Sequence, residues 1–160
     1  LLVDNFAKKG VNINRKLVQA SALLHDITKT RSFHTKENHA VTGGHWLQNR
    51  GYPEVGAIVR QHVLLDSYLP GNAPREAEIV NYADKRVLHD KIATLSERMQ
   101  YILKRYGTNS DYRYRIRRLW TLSEELEIRI FRKLSFAPDA ISRHLDPDKH
   151  MVDMVACRRY

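Results

Sequence analysis

Asn14-Arg15-Lys16-Leu17-Val18-Gln19-Ala20-Ser21-Ala22-Leu23-Leu24-His25-Asp26-Ile27-Thr28-Lys29 places its apolar residues at three- and four-residue steps, the period of an α-helix and not of a strand. Asn14 or Asn12 can cap its start with a side-chain oxygen. The run ends on an adjacent histidine and carboxylate, His25 and Asp26. Two neighbouring side chains chelate one ion only if the backbone is held still. A helix end buried by the apolar residues Ala22, Leu23 and Leu24 is expected to hold it.

The helical period continues on the C-terminal side. His39 to Arg50 reads as a helix ended by Gly51 in a left-handed cap, and Pro53 can open the next. That next helix carries Val55, Ile58, Val59, His62 and Val63 on one side. Residues 75–90 form another, with Ile79, Val80, Ala83, Val87 and Leu88 as its stripe, and residues 94–106 a further one, ended by Gly107. Two more are expected at 111–135 and 138–145. Thr28 to Asn38 is a polar break without a period, Leu69 to Pro74 is a loop by composition, and Asp146 to Tyr160 is a polar tail. No alternating segment of useful length appears, so the fold class is all-α. Residues 1–107 are expected to form a helical domain and 108–160 its C-terminal extension.

The 160 residues suit one domain able to bury a core, and 42% hydrophobic residues is ordinary for a globular protein. No apolar stretch approaches the ~20 residues that span a bilayer, and the first residues do not read as a secretory signal. A single cysteine, Cys157, excludes an internal disulfide and a thiolate-rich zinc cluster. A cytoplasmic setting and no membrane partner are therefore expected. The net charge of +9 favours anionic partners in general and is spread along the chain, +4 over residues 1–100 (14 basic, 10 acidic) and +5 over 101–160 (13 basic, 8 acidic).

After the His25-Asp26 pair come His39, His62 and Asp84, each beside an apolar stripe, so all five can face one interior. Imidazole nitrogen and carboxylate oxygen together suit first-row divalent metals. Asp84, between Tyr82-Ala83 and Val87-Leu88, would be costly to bury without a partner, and a metal ion offsets its charge and that of Asp26 together.

The segments Ala22-Leu23-Leu24-His25-Asp26-Ile27-Thr28-Lys29, His39-Ala40-Val41-Thr42-Gly43, Ile58-Val59-Arg60-Gln61-His62 and Ala83-Asp84-Lys85 resemble the HD-domain superfamily of metal-dependent phosphohydrolases, and within it the HDIG-type subgroup. The resemblance covers roughly residues 1–100. It implies an HD-type helical bundle and one or two divalent ions (Mn, Fe, Ni, Mg or Zn). His25, Asp26 and Asp84 would hold the first ion, and Asp26 would bridge to a second held by His39 and His62. Lys29 matches the lysine closing the HDIGK pattern, which implies a role in neutralising a substrate phosphate. Asp26 and Lys29 are thus the candidate catalytic residues, with Lys85 and Arg86 beside the last ligand as further candidate phosphate contacts.

The chain departs from the family pattern in three places. Residues 1–24 contain no histidine where the family has its first ligand one helix upstream, so that ligand is expected before Leu1. Thr28 replaces the glycine of HDIG, which should alter the turn and not the ligands. Val63 follows His62 where some relatives carry a second histidine. The reaction implied is attack of a metal-activated water on the phosphorus of a small, nucleotide-like phosphate ester. Two alternatives stand beside it: a regulatory module that binds a nucleotide or metal without turnover, and a di-iron oxygenase of the same superfamily.

Other features carry less. His34, His45, His89, His144 and His150 lack partners at useful spacing. Tyr112-Arg113-Tyr114-Arg115-Ile116-Arg117-Arg118-Leu119-Trp120 interleaves arginine with aromatics, a pattern that can contact nucleic acid. The preferred reading is an amphipathic helix with Tyr112, Ile116, Leu119 and Trp120 packed and the arginines outside. Composition and spacing do not indicate an oligomeric state.

Overall fold

The computed structural model of the chain describes residues 1–68 and 73–145. The order is α1 (Leu2–Ala7), α2 (Arg15–Leu24), α3 (Lys29–Thr35), α4 (His39–Gln48), α5 (Pro53–Val59), α6 (Glu76–Lys85), a hairpin of β1 (Val87–Leu88) and β2 (Lys91–Ile92), α7 (Leu95–Tyr106), α8 (Ser110–Phe131), a 3-10 turn (Pro138–Ala140) and α9 (Ile141–His144). The fold is all-α apart from that small hairpin. α2 packs on α5 and α6, α4 on α5, and α7 on α8. Phe6, Val18, Ile58, Ile79, Val80, Tyr82, Leu126 and Ile130 form the centre of the core, and α6 supplies three of these eight.

The local signals act as their chemistry requires. Asn14 caps α2, its side chain accepting from the Leu17 amide at 3.1 Å. Gly51 takes φ +86 just after α4, and Pro53 opens α5. Thr94 and Glu97 form a capping box at the start of α7. α4 and α5 cross at two glycines. A Cβ at Gly44 would lie 2.7 Å from the Gly56 carbonyl oxygen, and one at Gly56 would lie 2.5 Å from the Gly44 oxygen. Hydrogen in place of a side chain is what permits this approach.

The structure corrects several expectations. Residues 29–35 of the supposed break are helix α3, which buries no residue and so has no apolar period to read. The helix expected over 75–90 stops at Lys85: Arg86 leaves helical geometry, and His89 takes φ 58 in the two-residue turn between β1 and β2. Val87 and Leu88 therefore sit in the hairpin, with Val87 exposed. α5 ends at Val59, so His62 lies in the turn beyond it and not on the helix. α8 ends at Phe131 rather than near 135. Leu69 to Asn72 of the expected loop and the tail 146–160, with His150 and Cys157, lie outside the described residues. No helix among the described residues is long and apolar enough to cross a membrane.

Candidate metal centre

Four separate elements deliver the five side chains to one place. His25 is the C-cap of α2, Asp26 begins the turn after it, His39 opens α4, His62 follows α5, and Asp84 lies in the last turn of α6. Asp26 is the hub. Its Oδ1 lies 3.2 Å from His39 Nε2 and 3.6 Å from His62 Nε2, while its Oδ2 lies 3.4 Å from His25 Nε2. Asp84 Oδ1 is 3.7 Å from His25 Nε2, and the Nε2 atoms of His39 and His62 are 3.1 Å apart. Ligand atoms of His25, Asp26 and His62 all fall within 4.8 Å of one another.

The imidazoles are oriented by their other nitrogens. His25 Nδ1 lies 2.8 Å from the Ala22 carbonyl oxygen, and His62 Nδ1 lies 2.7 Å from that of Val59. A carbonyl only accepts, so each Nδ1 carries the proton and a neutral ring presents an Nε2 lone pair to the cluster. This is the arrangement in which protein histidines ligate metal. Asp26 Oδ1 is buried and meets no aligned hydrogen-bond donor among the described residues. Lone pairs of His62 Nε2 and Asp26 Oδ1 thus converge on His39 Nε2, an arrangement that either a proton on that nitrogen or a cation stabilises. The donor set of imidazole and carboxylate fits a divalent first-row ion.

Electrostatics without an ion show the same need. Burial disfavours the Asp26 carboxylate, but contacts from His25, His39, His62 and Lys29 outweigh it and hold the carboxyl far below its usual range. The hydrogen bond to Asp26 raises the His25 pKa against the opposing effect of its burial. Protons and a metal ion therefore compete for the same atoms.

The pair is not fixed in the way its sequence suggests. Leu23 is 85% exposed and Ala22 is also on the surface, so the apolar run does not bury the helix end. The ring bond to Ala22 and the loop beneath hold it instead. Thr28, buried, donates from Oγ1 to the His39 carbonyl oxygen at 2.9 Å and lies 3.1 Å from Thr42 Oγ1. Thr28 thus joins the His25-Asp26 turn to the start of α4.

Two cations border the cluster. Lys29 Nζ lies 2.6 Å from Asp26 Oδ2 on a half-exposed side chain. Arg98, which sequence reasoning missed, brings its guanidinium to 3.9 Å from Asp84 Oδ1. Its Nε is buried without a hydrogen-bond partner among the described residues. No motif marks Arg98; only the packing of α7 beside α6 brings it there. Lys85 and Arg86 are corrections. Lys85 is 2% exposed and donates inward to the carbonyls of His62, Val63 and Asn81 and to Asn81 Oδ1. Arg86 is 4% exposed and donates to the carbonyls of Ala93 and Pro138, the Tyr82 hydroxyl and Glu127. Both point into the protein because α6 ends there and its last turn faces the core. Neither is placed to meet a substrate phosphate.

His34 and His45 are exposed and away from the cluster, while His89 packs on Tyr101 and His144 on Phe136. The profile of the HD domain family matches residues 3–87, a span that contains all five clustered side chains. No curated protein and no solved structure matches the chain.

Proposed function

Because the chain belongs to the HD domain family, we propose that it is a metal-dependent phosphohydrolase cleaving a phosphate ester of a nucleotide or related small molecule, with a site of the HDIG type. The observation that carries this reading is the meeting of His25, His39 and His62 on the unpartnered Oδ1 and neighbouring Oδ2 of Asp26. His25, Asp26 and Asp84 would hold one ion, and His39 and His62 with Asp26 a second. A divalent ion bound there supplies an acidified water as nucleophile and positive charge for the phosphoryl oxygens.

The chain's own residues do the rest. Asp26 presents one oxygen to each half of the cluster. The Ala22 and Val59 carbonyls keep the His25 and His62 rings turned with Nε2 inward. Lys29 reaches solvent beside Asp26 and offers an ammonium to an arriving phosphate. Arg98, whose Nη2 lies 3.9 Å from Asp84 Oδ1, brings a planar guanidinium suited to phosphate oxygens to the edge of the cluster. The substrate phosphate is read as lying between these two cations.

The test is metal content and phosphate release measured on protein loaded in turn with Mn, Fe, Ni, Mg or Zn, against a panel of nucleotides and simple phosphate esters. Turnover with one class of ester, lost on Asp26→Asn together with the bound metal, is expected. Metal bound at full stoichiometry with no phosphate released from any ester would refute the proposal.

A further inference from the structure

We propose that the exposed face made by the end of α7 and the first half of α8 binds single-stranded nucleic acid. Residues 104–118 carry six cations, Lys104, Arg105, Arg113, Arg115, Arg117 and Arg118, against one carboxylate, Asp111. All six are exposed. No carboxylate of the described residues comes within ion-pairing distance of Lys104, Arg105, Arg115, Arg117 or Arg118. Solvated basic residues alone would be an ordinary surface, but here they alternate with exposed rings. Tyr106 is 57% exposed, Tyr112 50% and Tyr114 68%. Tyr112 was expected to pack; the structure instead leaves it at the surface, with Ile116 as the buried residue of that turn.

The arrangement has order. Tyr114 stands three and four positions before Arg117 and Arg118, so the ring and both guanidinium groups share one helix face. Arg113 Nε donates to the Gly107 carbonyl oxygen at 2.8 Å, which ties α8 back to the turn after α7 and makes the two basic clusters one surface. Exposed Glu124 and Glu125, two turns further along α8, bound the patch on that side. Cations that track phosphates and flat rings that stack on unpaired bases are the two components of sequence-tolerant single-strand binding. An acidic peptide would use the arginines and leave the tyrosines idle, so the rings favour nucleic acid. The proposal does not depend on the metal cluster being catalytic.

The experiment is fluorescence anisotropy of a labelled twelve-nucleotide oligo(dT) or oligo(rU) with the full chain, titrated at several salt concentrations. If about four cations each meet a phosphate, log K should fall against log salt with a slope near about −3. Joint substitution of Arg115, Arg117 and Arg118 by Gln should weaken binding at least tenfold at low salt and flatten the slope by about two. Tyr112→Ser with Tyr114→Ser should weaken binding about fivefold or more and leave the slope unchanged. Lys8, Lys9 and Lys16, exposed on the other side of the sequence, serve as a control that removes the same charge when changed to Gln. An equal loss in that control variant, unaltered binding in the tyrosine variant, or competition by polyglutamate as strong as by unlabelled oligonucleotide would each overturn the proposal.

Discussion

The ammonium of Lys85 donates to the main-chain carbonyl oxygen of His62 at 3.2 Å. It does so from the residue next to Asp84, so one turn of α6 supplies a carboxylate to the cluster and also anchors the turn that carries His62. Val63 O, Asn81 O and Asn81 Oδ1 complete its shell. Lys85→Met leaves these buried acceptors short of a donor, which costs about 1–3 kcal/mol. It also loosens a ligand's support, and metal affinity should fall by about tenfold or more. Urea denaturation and metal titration measure the two effects separately; unchanged metal affinity would show that His62 is held by other contacts.

Burial pushes the Lys85 ammonium down to about 8, whereas an unfolded chain leaves it near ~10.4. Between those values the unfolded state binds more protons than the native state. Its contribution to stability must therefore rise with pH through that window and be flat below it. The metal-free protein should resist urea better at pH 10 than at pH 8 through this group, and the stability advantage of wild type over Lys85→Met should widen accordingly. A difference that is constant with pH would mean that Lys85 titrates normally.

Gly44 and Gly56 set the spacing of α4 and α5, and thereby the separation of His39 from His62. Gly56→Ala places a methyl against the Gly44 carbonyl and Gln48. Overpacking of this kind costs about 1–3 kcal/mol, and the same shift should weaken metal binding. The double variant Gly44→Ala with Gly56→Ala is expected to lose less stability than the sum of the single losses, because the first methyl already separates the helices. Thermal unfolding of the three variants decides this.

Arg86 and Arg98 should separate cleanly. Arg86 joins α6, the hairpin, α8 and the 3-10 turn, so Arg86→Ala is expected to cost about 1–3 kcal/mol of stability by removing a donor from the Ala93 and Pro138 carbonyls and the cation beside Glu127. The fraction that stays folded should keep its KM. Arg98→Ala, by contrast, should leave the melting temperature nearly unchanged and raise KM for a phosphate ester by about tenfold, the loss of one charge-assisted hydrogen bond. A stable Arg98→Ala protein with wild-type KM would remove Arg98 from the substrate site.

Metal retention should fall as the pH is lowered, since an imidazole Nε2 binds an ion only when unprotonated. Dialysis at stepped pH with metal analysis measures it. Asp26→Asn should release metal already at neutral pH, because it removes the carboxylate charge that both halves of the cluster share. Removal of metal by chelation is expected to destabilise the native state by the binding free energy it supplied.

The chain by itself determined most of the helices and which side chains to look for at one place. Asn14, Gly51, Pro53 and the Thr94–Glu97 box act through local hydrogen bonds and backbone geometry, and the apolar period of α2, α4 and α6 is a property of consecutive residues. Residue type was likewise enough to single out His25, Asp26, His39, His62 and Asp84, since their chemistry is carried by the side chains themselves. α3 escaped the reading because a helix that buries nothing has no stripe. Which way Lys85 and Arg86 point, the arrival of Arg98 beside Asp84 and the exposure of Tyr112 were decided only by tertiary structure. Each depends on how α6, α7 and α8 pack against one another, and burial and pairing between residues distant in the chain exist only once those helices have met.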